Sequence, residues 1–419
     1  MATHSVQVTA FPRDILHKVE IGRYVRDHSH AVMQGRFTSR AWSLETSTAD
    51  DLMAKIRHVG VPLRDFVNTK PYRGVLTGLN EAFLIDTPTK ERLLQDSRSV
   101  DLIKPYLRGQ DIKRWSPDWQ KLWMIVLKSS GDHTWPWSGL PEAEAEDAFR
   151  QKFPLLHEHF KPLEDKLRKR QDKGRYWWEL RTCAYYDAFE QPKALYQEIQ
   201  FHSWFSMDRE VYFTNNKVFL LPMTDLYVLA VLNSPLMWWH NWRYLPHMKD
   251  EALSPVGELM VSLPIASPTD DMRRNAEVAV ERLLAITQAN REARQDTLDW
   301  LHSEFDILSP GQQLEDFARL ELDAFVTEVR KRRPKGATAL SPATLKALRT
   351  GYAEQATPVQ QRQAEAAVLE RTIADVINAA YGLTPEDVAL LWTTAPPRMP
   401  GAIKAIGNGT ATSDNPRDG

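Results

Sequence analysis

The chain has 419 residues, 42% of them hydrophobic and 26% charged, with a formal net charge of −2 and one cysteine. That length predicts two or three domains with substantial cores. The lone Cys183 excludes an internal disulfide and a thiolate zinc site, and no run approaches the ~20 uninterrupted apolar residues of a membrane span. The most apolar stretch, Val218 to Leu232, contains Pro222 and Asp225 and reads as a buried strand followed by a helix. The opening MATHSVQVTAFPRD has no basic segment leading into an apolar core, so a cytoplasmic location is expected.

Residues 1–62 form a lead-in, in which Phe37 to Ile56 reads as a strand passing through a Thr46 or Ser47 cap into a helix. From 63 to 266 the pattern changes to short β-rich runs broken by turns: VLTGLNEAFLI, KLWMIVLK, KALYQEIQ, REVYFTNNKVFLLP and ELMVSLPI. Asn215-Asn216 predicts a hairpin turn. Helical insertions are expected from Glu142 to about Gln171 and from Asp225 to Trp239. Residues 267–392 read as helical, opened by a Thr269 cap, stopped at Gly382 and restarted by Thr384-Pro385-Glu386. Residues 393–419 have the small-residue, proline and glycine content of a disordered tail. The expected class is α+β, a mixed β-rich domain with helical insertions followed by an all-α C-terminal region.

Motifs of catalysis are missing from the sequence. It has no glycine-rich phosphate loop, no strand-linked GxGxxG and no GxSxG elbow. His157 and His159, two apart, point to different faces of a helix and make a poor metal pair; His28 and His30 have no third ligand nearby. No catalytic and no metal-binding residue is therefore assigned.

Basic and aromatic residues are interleaved instead. KPYLRGQDIKRW carries Lys104, Arg108, Lys113 and Arg114 against one acid, Asp111; a second run, KLRKRQDKGRYWWELR, extends from Lys166 to Arg181. Such local cation excess suits phosphate binding, because each neutralised phosphate releases condensed counterions. The neighbouring Tyr106, Trp115, Tyr176, Trp177 and Trp178 serve either as stacking plates or as core.

In order along the chain, GVLTGLNEAFLID, IKPYLRGQDIKRW, YYDAFEQPKALYQEI and YVLAVLNSPLMWW resemble the TaqI-like specificity domain. That domain is the target-recognition part of adenine-specific DNA methyltransferases and of the restriction enzymes fused to them. LDWLHSEFDI and IADVINAAYGLTPED resemble the helices that follow it in long single-chain enzymes. Such methyltransferases also carry a cofactor-binding half with an Asn-Pro-Pro-aromatic motif, which holds a flipped adenine. Here the only Asn-Pro is Asn415-Pro416, followed by Arg417.

The resemblance implies a double-stranded DNA partner and a separate methyltransferase subunit, with or without a nuclease. No cofactor is expected in this chain, and S-adenosylmethionine belongs to the catalytic partner. A scaffold for other proteins of a defence complex, or a methyltransferase completed in trans, are the alternative readings. Lys104, Arg108, Lys113, Arg114, Arg181 and Lys193 are expected to contact phosphates. Thr77, Gly78 and Asn80 in the first loop, and Gln197, Glu198, Gln200 and His202 after the Pro192 turn, are expected at bases or groove edges.

Overall fold

The computed structural model describes residues 4–9, 11, 17–37 and 46–401. Among them are twelve short strands: β1 Ser5–Val8, β2 His30–Met33, β3 Val61–Pro62, β4 Tyr72–Arg73, β5 Leu84–Ile85, β6 Ile103–Leu107, β7 Leu122–Ile125, β8 Lys193–Gln197, β9 Phe205–Asp208, β10 Phe213–Thr214, β11 Val218–Pro222 and β12 Pro264–Ile265. Two four-stranded sheets organise the middle of the chain, with orders β10-β6-β7-β5 and β4-β11-β8-β9. The second is antiparallel throughout, whereas β10 joins β6 in parallel. Two-stranded pairs, β1-β2 and β12-β3, lie outside them. The arrangement is α+β.

The local signals of the central region are met in part. Val218 to Leu232 is strand then helix: β11 runs into Leu226–Leu232, where the N–H of Val228 in the first turn is capped by Asp225 Oδ1 at 3.0 Å. Ser234-Pro235 stops that helix and starts a second, Pro235–Tyr244. The insertion near residue 142 likewise divides, into Glu142–Lys152, Pro154–Phe160 and Glu164–Lys169.

Asn215-Asn216 makes a turn, with Val218 N bonded to Asn215 O at 3.0 Å, but not a hairpin. Its flanking strands part, β10 to one sheet and β11 to the other, so this turn is the seam between the sheets. Gly74 lies against the same seam: a Cβ there would sit 2.0 Å from Asn215 O, which leaves room for glycine alone. ELMVSLPI is a helical turn, Gly257–Met260, and only Pro264–Ile265 pairs as strand. GVLTGLNEAFLID similarly holds a helical turn, Asn80–Phe83, whose buried Ala82 and Phe83 follow helical rather than alternating spacing.

Thr269 caps Asp270–Phe305, a single 36-residue helix. It packs along Pro342–Ala380, a 39-residue helix that begins at Ser341-Pro342, well before its apolar pattern becomes regular. Gly382 takes φ +62°, and Thr384 and Asp387 form a capping box for Pro385–Thr393.

Three apolar cores result. One lies under β6 and β7 and holds the aromatic cluster of Trp137, Phe149, Phe160 and Trp178. A second joins the distal thirds of the long helices. The third is shared: Tyr196, Tyr227, Trp238 and Trp239 pack with Ala276, Val280, Leu283, Ile377 and Tyr381 from the C-terminal helices. Residues 394–401 are not a free tail, since Met399 is buried in this shared core and Trp238 Nε1 donates to Pro397 O at 3.0 Å. The expected tail beyond 401, and the expected strand at 38–45, lie outside the described residues. No helix of the described residues is long and apolar enough to cross a membrane.

Candidate nucleic-acid interface

Four expected contacts are turned inward. Lys193 is wholly buried; its Nζ lies 2.6 Å from Asp208 Oδ2 and donates to Phe189 O at 2.7 Å. Burial pushes the Lys193 ammonium down and the Asp208 carboxyl up, against the attraction between them. Arg114 donates to Glu370 Oε1 at 2.6 Å and to Asn233 O at 2.8 Å, and Trp115 Nε1 shares that Glu370 oxygen. This arginine therefore clamps the sheets to the helix Pro342–Ala380. Thr77 is buried, with Oγ1 on Asn80 Oδ1 at 2.7 Å. Gln200 is buried too, its backbone paired reciprocally with Leu253.

Gly78 does allow a close approach, but to the protein's own backbone. It has φ +68°, and a Cβ would lie 3.0 Å from Asp172 O. The neighbouring Arg170, drawn from the second basic run, is buried and donates to the carbonyls of Thr77, Trp177 and Glu179 at 2.6–2.8 Å. Desolvation lowers its value to about 10. The first loop is thus fastened by a structural arginine, with Gly78 and Asn80 exposed at its edge. Arg181 is exposed and paired with Asp172 at 3.2 Å; Lys104, on the other sheet, faces Glu190 at 3.9 Å.

The remaining candidates lie on two segments that touch, the turn 108–113 and the end of β8 with the connection after it. Gln197, at the end of β8, donates from Nε2 to Gly109 O at 2.7 Å, which joins the β8–β9 connection, residues 198–204, to the turn 108–113. In that turn Asp111 accepts from Arg108 N at 2.8 Å and pairs with its guanidinium at 2.9 Å. Beside it, Lys113 Nζ lies 4.9 Å from the Trp204 ring centre, and His202 stacks on Trp204 at 4.7 Å. Burial lowers the His202 pKa, and the cations of Arg398 and Lys113 add to the effect. Burial also lowers that of Lys113, against Asp118 and Asp111. Glu198 is held by Arg73 and by Lys217, the latter at 3.0 Å. Loop 246–254 closes one side, with Met248 exposed.

This face is mixed rather than a wide basic groove, because Arg108, Arg73 and Lys217 already have carboxylate partners. It offers flat aromatic and imidazole plates, a carboxamide whose Oε1 can accept, and a small excess of cations. Phe201 and Trp204 went unassigned from sequence, although they adjoin the assigned strand in FHSWF; nothing local marked Arg398. No group of three or more His, Cys, Asp or Glu suited to a metal occurs among the described residues.

Residues 104–265 match the model of the TaqI-like C-terminal specificity domain, and residues 269–377 match a domain of unknown function, DUF8810. No curated protein matches the sequence. Among solved structures, the Type IIL restriction-modification enzyme MmeI in complex with DNA is similar at 11% identity, TM-score 0.40, covering 78% of this chain and 35% of that one. The type IIG restriction endonuclease BpuSI is similar at 12% identity, TM-score 0.37, covering 91% of this chain and 40% of that one. The chain thus spans well under half the length of either enzyme. Its middle, residues 104–265, carries the TaqI-like C-terminal specificity domain.

Proposed function

We propose that this chain reads the sequence of double-stranded DNA as the specificity part of a restriction-modification system. In this reading it contributes no reacting group. A methyltransferase partner, with or without a nuclease, supplies S-adenosylmethionine and transfers the methyl group to adenine, and the components meet in the cytoplasm.

One observation carries the proposal. His202 and Lys113 meet on the Trp204 ring, and Gln197 ties the strand leading to them to the turn that carries Lys113, inside the segment that matches the specificity domain. The roles follow from donor and acceptor chemistry. Gln197 Oε1 can accept from an exocyclic amine, adenine N6 or cytosine N4, and a neutral His202 can donate to or accept from a base edge. Lys113 supplies sequence-independent attraction to phosphate. Glu198, neutralised by two cations, keeps its loop in place.

The test is selection from a library of duplexes with a randomised centre, followed by affinity measurement on the selected and a scrambled duplex. A recovered consensus bound at least about a thousandfold above the scrambled duplex supports the proposal. Equal binding of both, or none, overturns it. Adding labelled S-adenosylmethionine and a candidate methyltransferase then tests the partner: methylation at the consensus only when both chains are present is the expected result.

A further inference from the structure

The chain beyond the helix Pro385–Thr393 turns back across the specificity domain. Trp239 Nε1 donates to Thr394 Oγ1 at 2.9 Å, Arg243 Nη2 to Thr394 O at 3.1 Å, and Met399 enters the shared core. Two anchors therefore flank Arg398. Its guanidinium lies 5.5 Å from the Phe201 ring centre and donates to Glu251 O at 2.8 Å, so one side chain touches both the 198–204 connection and loop 246–254.

The backbone at this junction is strained. Arg398 has φ +58°, Asp250 +59° and Glu251 +60°, three of the eight non-glycine residues with positive φ among the described residues. Such conformations persist only where the surroundings enforce them, and they gather at functional sites. Asp250 and Glu251 are exposed, so core packing does not impose their conformation.

We propose that Arg398 is a positioning residue of the reading face, by which the strap 394–401 fixes the spacing between the 198–204 connection and loop 246–254. The assignment rests on the DNA-reading function above. It adds to that function a residue lying outside both matched segments, 104–265 and 269–377. The planar guanidinium can rest on the Phe201 ring while it donates to a carbonyl; a lysine ammonium reaches the carbonyl but does not stack. With the spacing fixed, His202 and Trp204 meet the duplex in one register. Without it, the loops still attract phosphate but no longer discriminate.

The experiment uses the full chain and the consensus and scrambled duplexes from the selection. Arg398→Ala is expected to reduce the ratio of consensus to scrambled affinity about tenfold while changing scrambled binding less than about threefold. Phe201→Leu, which removes the ring under the guanidinium, should give the same loss by an independent route, and Arg398→Lys should not restore it. In parallel, the His202 titration followed by NMR should move up in Arg398→Ala, because a nearby cation has gone. If the His202 titration moves while discrimination stays at the wild-type level, the contact is only structural and the inference falls, with the DNA reading intact. Full restoration by lysine makes Arg398 a point charge on phosphate, which also overturns it. A wild-type chain that selects no sequence ends both.

Discussion

Lys193 Nζ lies 2.6 Å from Asp208 Oδ2 across the β8–β9 pair, and both side chains are wholly buried. Asp208 also accepts from the backbone N–H groups of Glu210 at 2.8 Å and Tyr212 at 2.9 Å, so the pair ties a sheet edge to the loop leaving it. Removing one partner strands the other charge without solvent. Lys193→Met should therefore cost about 3–5 kcal/mol of unfolding free energy, and Lys193→Met with Asp208→Leu should cost less than the single change. Urea unfolding of the three proteins decides it. A double variant worse than the single would mean that the Asp208 bonds to the loop matter more than the pair.

That lysine also shows what the sequence left unreadable. A lysine next to Pro192, at the start of a strand, looks like a phosphate contact, and its partner stands fifteen positions further on, on the next strand. Arg114 is the stronger case: its partner Glu370 lies 256 residues away, on a helix whose packing no local pattern specifies. Features fixed within a few residues were legible. Thr269 and Thr384 cap helices as expected, because a cap needs only its own next turn. Asn215-Asn216 was legible as a turn but not as a seam, since only the pairing of β10 with β6 and of β11 with β8 sends the two strands apart. Gln197, His202 and Lys113 were identifiable singly, by type and neighbourhood. The contact between their two segments depends on the Gln197–Gly109 bond across 88 residues.

The pairing of most cations sets the expected salt response. The runs of lysine and arginine by themselves suggest a steep loss of affinity with salt, but Arg108, Arg114, Arg73, Lys217 and Lys193 are held by carboxylates. The slope of log affinity against log salt should have a magnitude of roughly 2–4, matching a few phosphates. Lys113→Ala should reduce it by about 1 and weaken all duplexes alike. Gln197→Ala should instead alter preference at one base pair. Anisotropy titrations at several salt concentrations measure both, and a slope near 8 would mean that the carboxylate pairs open on DNA.

The clamp between Arg114 and Glu370 joins the specificity domain to the long helices through a half-buried guanidinium. Burial pulls the Arg114 value down, and Glu370 opposes that. Glu370→Gln keeps the size and one acceptor but removes the compensating charge. It should cost about 1–3 kcal/mol, while Glu365→Gln, at an exposed pair with Arg282, should leave stability nearly unchanged. Thermal melting separates the two, and equal effects would show that the half-buried pair is no more important than the exposed one.

His240 gives the chain a predictable response to acid. Its ring is buried among Asn241, Tyr244 and the neighbouring helix, Nδ1 faces Asn241 Oδ1 at 3.2 Å, and Nε2 has no partner among the described residues. Desolvation lowers its pKa from 6.5 to about 4; the bond to Asn241 opposes the shift and Arg57 adds to it. Above pH 6.5 the ring is neutral in both folded and unfolded chains. Below it, unfolded chains take up a proton that folded ones refuse, so the stability of the neutral ring falls as pH drops from 6.5 toward 4, by up to about 1.4 kcal/mol per unit. His240→Gln cannot titrate. Between pH 6.5 and 5 the wild type should therefore lose about 1.5 kcal/mol more than the variant in urea unfolding, whatever constant offset the substitution adds. Parallel losses would mean that the ring takes up its proton in the folded chain as easily as in water, and that the site is not dry.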